Sequence, residues 1–201
     1  VLHLNRVVSH SLTFRSAWKM VYLIIGLAVL FILVPILAVL PSPRQREQMA
    51  MRNAARAAGV LVELTSIDDP NPKQDKYISP TGRPLPPKLQ LAAYRKQRKR
   101  QSDWRQLPRV DWCLQRKLEA GWVWQGEVSD DLSPDFKAWL ESLVETLPVD
   151  VHQVEEVGYM VSIYWHEKAK ETVDDVLDFL NQCVEKELYA ASVLNDEDAG
   201  T

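Results

Sequence analysis

The sequence predicts an α+β protein: one N-terminal apolar helix, then a small domain with an antiparallel sheet and two to three helices. Three observations predict it. Val21 to Leu40 is twenty residues without a charge, fifteen of them Leu, Ile, Val or Phe. After it, short β-branched or aromatic runs intermingle with segments of helical period. Proline or glycine then marks the end of most of these segments.

At about 1.5 Å per residue the apolar run extends roughly 30 Å, one bilayer crossing. Each apolar residue favours insertion by roughly 0.3 to 0.6 kcal/mol near the helix centre, which outweighs Gly26 and Pro35. The run exceeds the roughly 7 to 15 apolar residues of a secretory signal and has no Ala-x-Ala site after Ala38, so we expect an uncleaved anchor, residues 20–40. Met20 directly precedes it. We expect initiation there, with residues 1–19 a leader or a misplaced start. Arg44, Arg46, Arg52 and Arg56 follow the run, and the positive-inside rule puts the C-terminal domain in the cytoplasm. Gly26 is followed four positions later by Leu30, so the small-residue dimer motif of membrane helices is missing.

The rest, about 160 residues, suits one domain. Pro41 and Pro43 break the run, and a basic helix is expected within 41–58, stopped by Gly59. The domain proper is assigned to 59–190. Val60 to Thr65 reads as a strand. Asp68 to Pro87 holds six prolines, so residues 68–87 are expected to be a flexible loop or a contact site. Leu89, Leu91 and Ala93 alternate, as do Val110, Trp112 and Leu114, which predicts two strands joined by the basic residues Arg95 to Arg100. Gly121 to Trp124 is a third short strand. Ser133-Pro134-Asp135 opens a helix as N-cap, first-position proline and first-turn acid. Leu147-Pro148 ends that helix. Val157 to Trp165 reads as one core strand. A last helix opens at Thr172, with Val173, Val176, Leu177, Leu180, Val184 and Leu188 at helical spacing. The tail, 191–201, is acidic.

Charge is the strongest functional clue. Residues 41–125 carry seventeen Lys and Arg against eight acids, a net of +9, while residues 126–201 carry four against nineteen, a net of −15. Arg95, Lys96, Arg98, Lys99 and Arg100, with Arg105 beyond, have the composition of an anionic-surface binder, worth roughly 1 kcal/mol per basic residue at lipid headgroups. Phosphate contact plus stacking on Tyr94 and Trp104 would suit RNA or single-stranded DNA, but no readout motif accompanies them, and nucleic acid ranks lower. The first-ranked reading is a solvated loop, or one that contacts the acidic C-terminal helices of the same chain.

Enzyme chemistry is not expected, nor a cofactor or metal. His152, Glu155, Glu156 and His166 lack the spacing of a metal site. Ser129 and Ser162 lack a Gly-x-Ser-x-Gly setting. Seven glycines in 201 residues form no phosphate-cradling loop. Cys113 and Cys183 read as buried thiols. Most of the tryptophans are expected in the core. Trp122 and Trp124 share one face of a strand, and an open face there would dock a protein partner.

Pro41-Ser42-Pro43-Arg44-Gln45-Arg46-Glu47-Gln48, directly after an apolar helix, resembles the auxiliary single-pass subunit of the bacterial Sec translocase. The resemblance covers about thirty residues and carries no site residues across. It implies an accessory role at the translocase. The general expectation is a single-pass protein of the bacterial inner membrane, a non-enzymatic scaffold, assembly factor or accessory subunit that binds another membrane or cytoplasmic protein. Its rival is a tethered domain that holds anionic lipid or nucleic acid through the basic cluster.

Overall fold

A computed structural model describes residues 18–34, 41–99, 107–168, 172–190 and 193. The chain divides into two compact units, Val1–Arg46 and Glu47–Thr201. In the first, residues 18–34 form helix α1, whose Leu, Ile, Val and Phe side chains stand exposed, Phe31 at 84%. Among the described residues no helix is long and apolar enough to cross a membrane. The last six residues of the apolar run, 35–40, residues 1–17 of the segment 1–19 expected to be a leader or a misplaced start, and most of the acidic tail lie outside the described residues.

Helix α2 (Pro43–Ala57) follows a reciprocal cap. The Ser42 N–H donates to Gln45 Oε1 at 2.8 Å and the Gln45 N–H to Ser42 Oγ at 3.3 Å, so the first turn has its orphan donors met by side chains. Its far end closes as a Schellman turn: Gly59 at φ +76° donates to the Arg56 carbonyl, and Val60 to that of Ala55, both at 3.0 Å.

Six strands follow, β1 (Leu61–Asp68), β2 (Lys88–Gln97), β3 (Trp112–Lys117), β4 (Gly121–Trp124), β5 (Val151–Val157) and β6 (Met160–Trp165), with α3 (Pro134–Val144) between β4 and β5 and α4 (Val173–Glu185) after β6. The sheet is antiparallel throughout, in the order β1-β2-β6-β5-β3-β4. The α+β class and the antiparallel sheet are as the sequence predicts. The strand expected over Val157 to Trp165 is instead a hairpin. Gly158 and Tyr159 both take positive φ, +57° and +66°, the two-residue turn that matches strand twist. Val151 to Val157 had been hidden because Glu155 and Glu156 interrupt its apolar alternation.

Helices α2, α3 and α4 pack on one face of the sheet. The core they enclose includes Met51 and Ala55 from α2, Phe136, Leu140 and Val144 from α3, and Val176, Phe179, Leu180 and Cys183 from α4. The sheet contributes alternate residues, as a period of two requires: Tyr94, Val161, Ile163, Trp165, Val154, Trp112 and Leu114. α3 begins as predicted, Ser133 Oγ accepting from the Phe136 N–H. α4 ends at Glu185, and Leu188 is buried just beyond it. The opposite face carries a smaller cluster of Leu89, Leu91, Ala93 and Tyr164.

Two buried carboxylates join these layers. Glu156, fully buried, accepts from Arg98 Nε at 2.7 Å, Arg98 Nη2 at 2.8 Å and Trp112 Nε1 at 3.0 Å. Glu167 accepts from Arg52 Nε and, at 2.9 Å, from the Tyr94 hydroxyl. It does so from a strained backbone, φ +52°, a conformation non-glycine residues adopt only when their surroundings impose it. The Tyr94 phenol is raised by burial and by the adjacent Glu167.

Removing one member of a buried pair strands the other without compensation, at about 3 to 5 kcal/mol, whereas apolar replacement of both is close to neutral. Glu156→Gln is therefore expected to lower the unfolding free energy of the full chain in mild detergent by about that amount. The double variant Arg98→Met with Glu156→Leu should regain most of it in urea titrations followed by near-UV circular dichroism.

Candidate functional site

The first part of the basic stretch read as a turn, Arg95 to Gln97, instead continues β2. Register with β6 extends to Lys96 opposite Val161 and Gln97 opposite Met160, so Arg95 to Gln97 are strand residues whose long stems lie along the sheet. Arg95 faces the smaller-cluster side, 3.4 Å from Glu63 and with its guanidinium 6.0 Å from the Tyr164 ring centre. Lys96 faces α4 and donates to Asn181. Arg98 is 7% exposed, spent on Glu156 and on the Lys186 carbonyl, with its guanidinium 5.7 Å from the Phe136 ring centre. That corrects its assignment to an anion-binding surface: desolvation of a lone guanidinium is costly, and the acidic C-terminal half supplies the partner. Lys99 is exposed. Arg100, Trp104 and Arg105 lie outside the described residues.

Beside Arg98 a cleft of about 440 Å³ opens between the ends of β2 and β6 and the chain following α4. Leu107, Val184 and Leu188 line it, with the Tyr159 and Tyr189 hydroxyls 3.1 Å apart. Lys99 and Lys186 alternate with Glu185 and Glu187 among its lining residues. Charges of both signs around apolar walls do not favour a polyanion.

Trp122 and Trp124 do share a face, and it is the helix-covered one. Both are half-buried against the main core. The Trp124 indole donates to Glu141 at 2.7 Å with Lys137 Nζ 5.5 Å from its ring centre, and Arg116 lies 4.6 Å from the Trp122 ring centre. Partners within the chain lie against this face, so the open face on which docking would depend is not what these two residues form.

The opposite end of the sheet is more highly organised than the sequence suggests. The proline-rich loop folds around Asp69, 6% exposed, which accepts from the Asn71 N–H at 2.8 Å, the Tyr77 hydroxyl at 2.5 Å and Lys76 Nζ at 2.9 Å. A 3₁₀ turn, Asp75–Tyr77, leads into a tight reversal at Ser79-Pro80-Thr81-Gly82, with Gly82 at φ +77°. Asn71 then reaches the β3–β4 turn, donating to the Arg116 carbonyl at 3.3 Å and accepting from the Leu118 N–H at 2.9 Å. Arg116 in turn donates to the Pro148 and Leu147 carbonyls at 2.9 and 3.1 Å. The stapled turns hold Leu118 and Val149 outward, 79% and 87% exposed. Composition hid this: six prolines argue for a loop, but the bonds gathered by the buried Asp69 are not visible in it.

His152 and His166 lie edge to face at this end, ring centres 4.8 Å apart. Glu155 bonds the Tyr164 hydroxyl at 2.5 Å on the sheet face away from Glu156. Among the described residues no group of three or more His, Cys, Asp or Glu is placed to hold a metal ion. Cys183 is buried and Cys113 half-buried, both free, and burial first, then Glu155, pushes the Cys113 thiol up to about 12.

Burial alone would raise the Asp69 carboxyl, but the bonds from Tyr77, Asn71 and Lys76 hold it below the usual carboxylate range. Asp69→Ala should therefore release the loop: limited proteolysis is expected to cut within 70–87 in the variant while wild type stays intact. His152 is pulled down to about 4, by burial first and then by His166 and Lys168, against the opposing pull of Asp69 and Asp150. A histidine neutral when folded and free to protonate when unfolded leaves stability whole above about pH 6.5 and lost as pH falls toward about 4. Melting temperatures of the wild type should fall across that window, and His152→Phe should flatten the slope.

No protein-family model matches this chain, and no curated protein or solved structure matches it.

Proposed function

We propose that the chain is a single-pass protein of the bacterial inner membrane. Its α+β domain lies in the cytoplasm and binds another protein as a scaffold, assembly factor or accessory subunit, without chemistry of its own. The twenty-residue uncharged run and the exposed apolar side chains of α1 support the anchor, since hydrocarbon is the solvent that such a helix suits. A role beside the Sec translocase is the narrower version suggested by the residues after the run.

One observation carries the protein-binding reading over its polyanion rival. Three basic residues of the charge-rich stretch are taken up inside the domain, Arg98 on Glu156, Lys96 on Asn181 and Arg95 on Glu63, while Leu118 and Val149 are held outward at the stapled end. Rigid apolar side chains desolvate at low entropic cost, which favours a protein surface.

The test is affinity purification of the tagged full-length protein from detergent-solubilised membranes, with mass spectrometry. Wild type should retain a stoichiometric partner that Leu118→Glu with Val149→Glu loses. Lys99→Gln should retain it. Retention by the double glutamate variant, or loss by Lys99→Gln alone, would overturn the reading.

A further inference from the structure

The two edges of the sheet are built differently. β4 is four residues long, while β1 runs for eight, Leu61–Asp68, with no proline, no lysine and no register shift in its pairing with β2. Long flat edges invite another strand, and natural sheets usually blunt them with such features. Here two leucines stand exposed along the edge, Leu61 at 59% and Leu64 at 67%.

Backbone geometry says which groups face away from β2. The Asp69 N–H donates to the Pro87 carbonyl at 2.7 Å, continuing the register in which Leu61 lies opposite Arg95 and Ile67 opposite Leu89. Antiparallel pairs alternate between bonded and non-bonded. The odd-numbered residues of β1 therefore point their N–H and C=O groups at β2, and Val62, Leu64 and Ser66 point theirs outward.

We propose that β1 pairs with β1 of a second copy of this chain, antiparallel, about a two-fold axis at Leu64. In that register Leu64 exchanges both backbone bonds with its own copy, and Val62 exchanges both with Ser66 of the other chain. Every outward group of the three residues is satisfied. On the helix side Leu64 meets Leu64, and on the opposite side Leu61 meets Ile67. Glu63 lies across from Thr65, and Arg95 stays 3.4 Å from Glu63 in each copy.

Neighbouring registers are poorer. A shift that moves the axis to residue 63 sets the two Glu63 side chains directly opposite, which is destabilising. Moving it to residue 65 puts Leu61 against Asp69 and Leu64 against Ser66. Pairing across unlike faces is excluded by the twist and pleat that the two sheets would have to share.

The test uses the full chain in detergent. Leu64→Cys should form an interchain disulfide on mild oxidation, because residues at the axis of a bonded pair lie about 5.5 Å apart at Cα, within disulfide range. Ser66→Cys should not, since its two copies lie four strand residues apart, about 13 Å. Light scattering should give a dimer for wild type and a monomer for Leu64→Lys, a substitution at an exposed edge position. Equal cross-linking at both cysteines, cross-linking at neither, a wild-type monomer, or a Leu64→Lys dimer would each overturn the pairing. Partner capture through Leu118 and Val149 is read separately, so either proposal can fail alone.

Discussion

Glu156 lies on β5 and Arg98 just beyond β2, and these strands are not neighbours: β6 runs between them. The bidentate bond across β6 fixes three strands at once. Trp112 adds β3 through its indole, and the Arg98 bond to the Lys186 carbonyl adds the end of α4. A fully buried carboxylate has no affordable alternative to these donors, since in a low-dielectric interior a lone charge is worth several kcal/mol of destabilisation. The arrangement around it is thereby made unique as well as stable. Glu167 does the same for the other end, holding α2 and Tyr94 at the cost of a left-handed backbone.

These two carboxylates also explain the divided charge of the sequence. The basic first half and the acidic second half fold into one another, Arg52 with Glu167 and Arg98 with Glu156. A linear imbalance of +9 against −15 thus marks internal pairing as much as an external surface. The exposed remainder is the more informative part, and at the stapled end it includes Leu118 and Val149.

Much of the fold was legible. Gly59, Ser133-Pro134 and the alternation of Val110, Trp112 and Leu114 each impose a local conformation through a single residue's φ, a missing donor or a two-residue period, and each element stands where those signals put it. The β5–β6 hairpin was not legible, because Glu155 and Glu156 read as surface residues until the partner of Glu156 is known from 58 positions away. Site residues were harder still. Arg98 and Lys99 are alike in composition, yet one is buried and the other exposed, a difference set by strand alternation and by what the opposing helix offers. The bonding within the proline-rich loop centres on Asp69, whose burial no local pattern announces.

The spatial order of the strands differs from their order of synthesis. β2 and β3 flank a gap that is filled only when residues 151–165 arrive. Until then a nascent chain carries two separate two-stranded hairpins, each too small to be stable alone, together with apolar faces awaiting β5, β6 and α4. The sheet therefore cannot be assembled progressively from its N-terminus as translation proceeds, and any chain cut short before Val151 lacks both of its central strands.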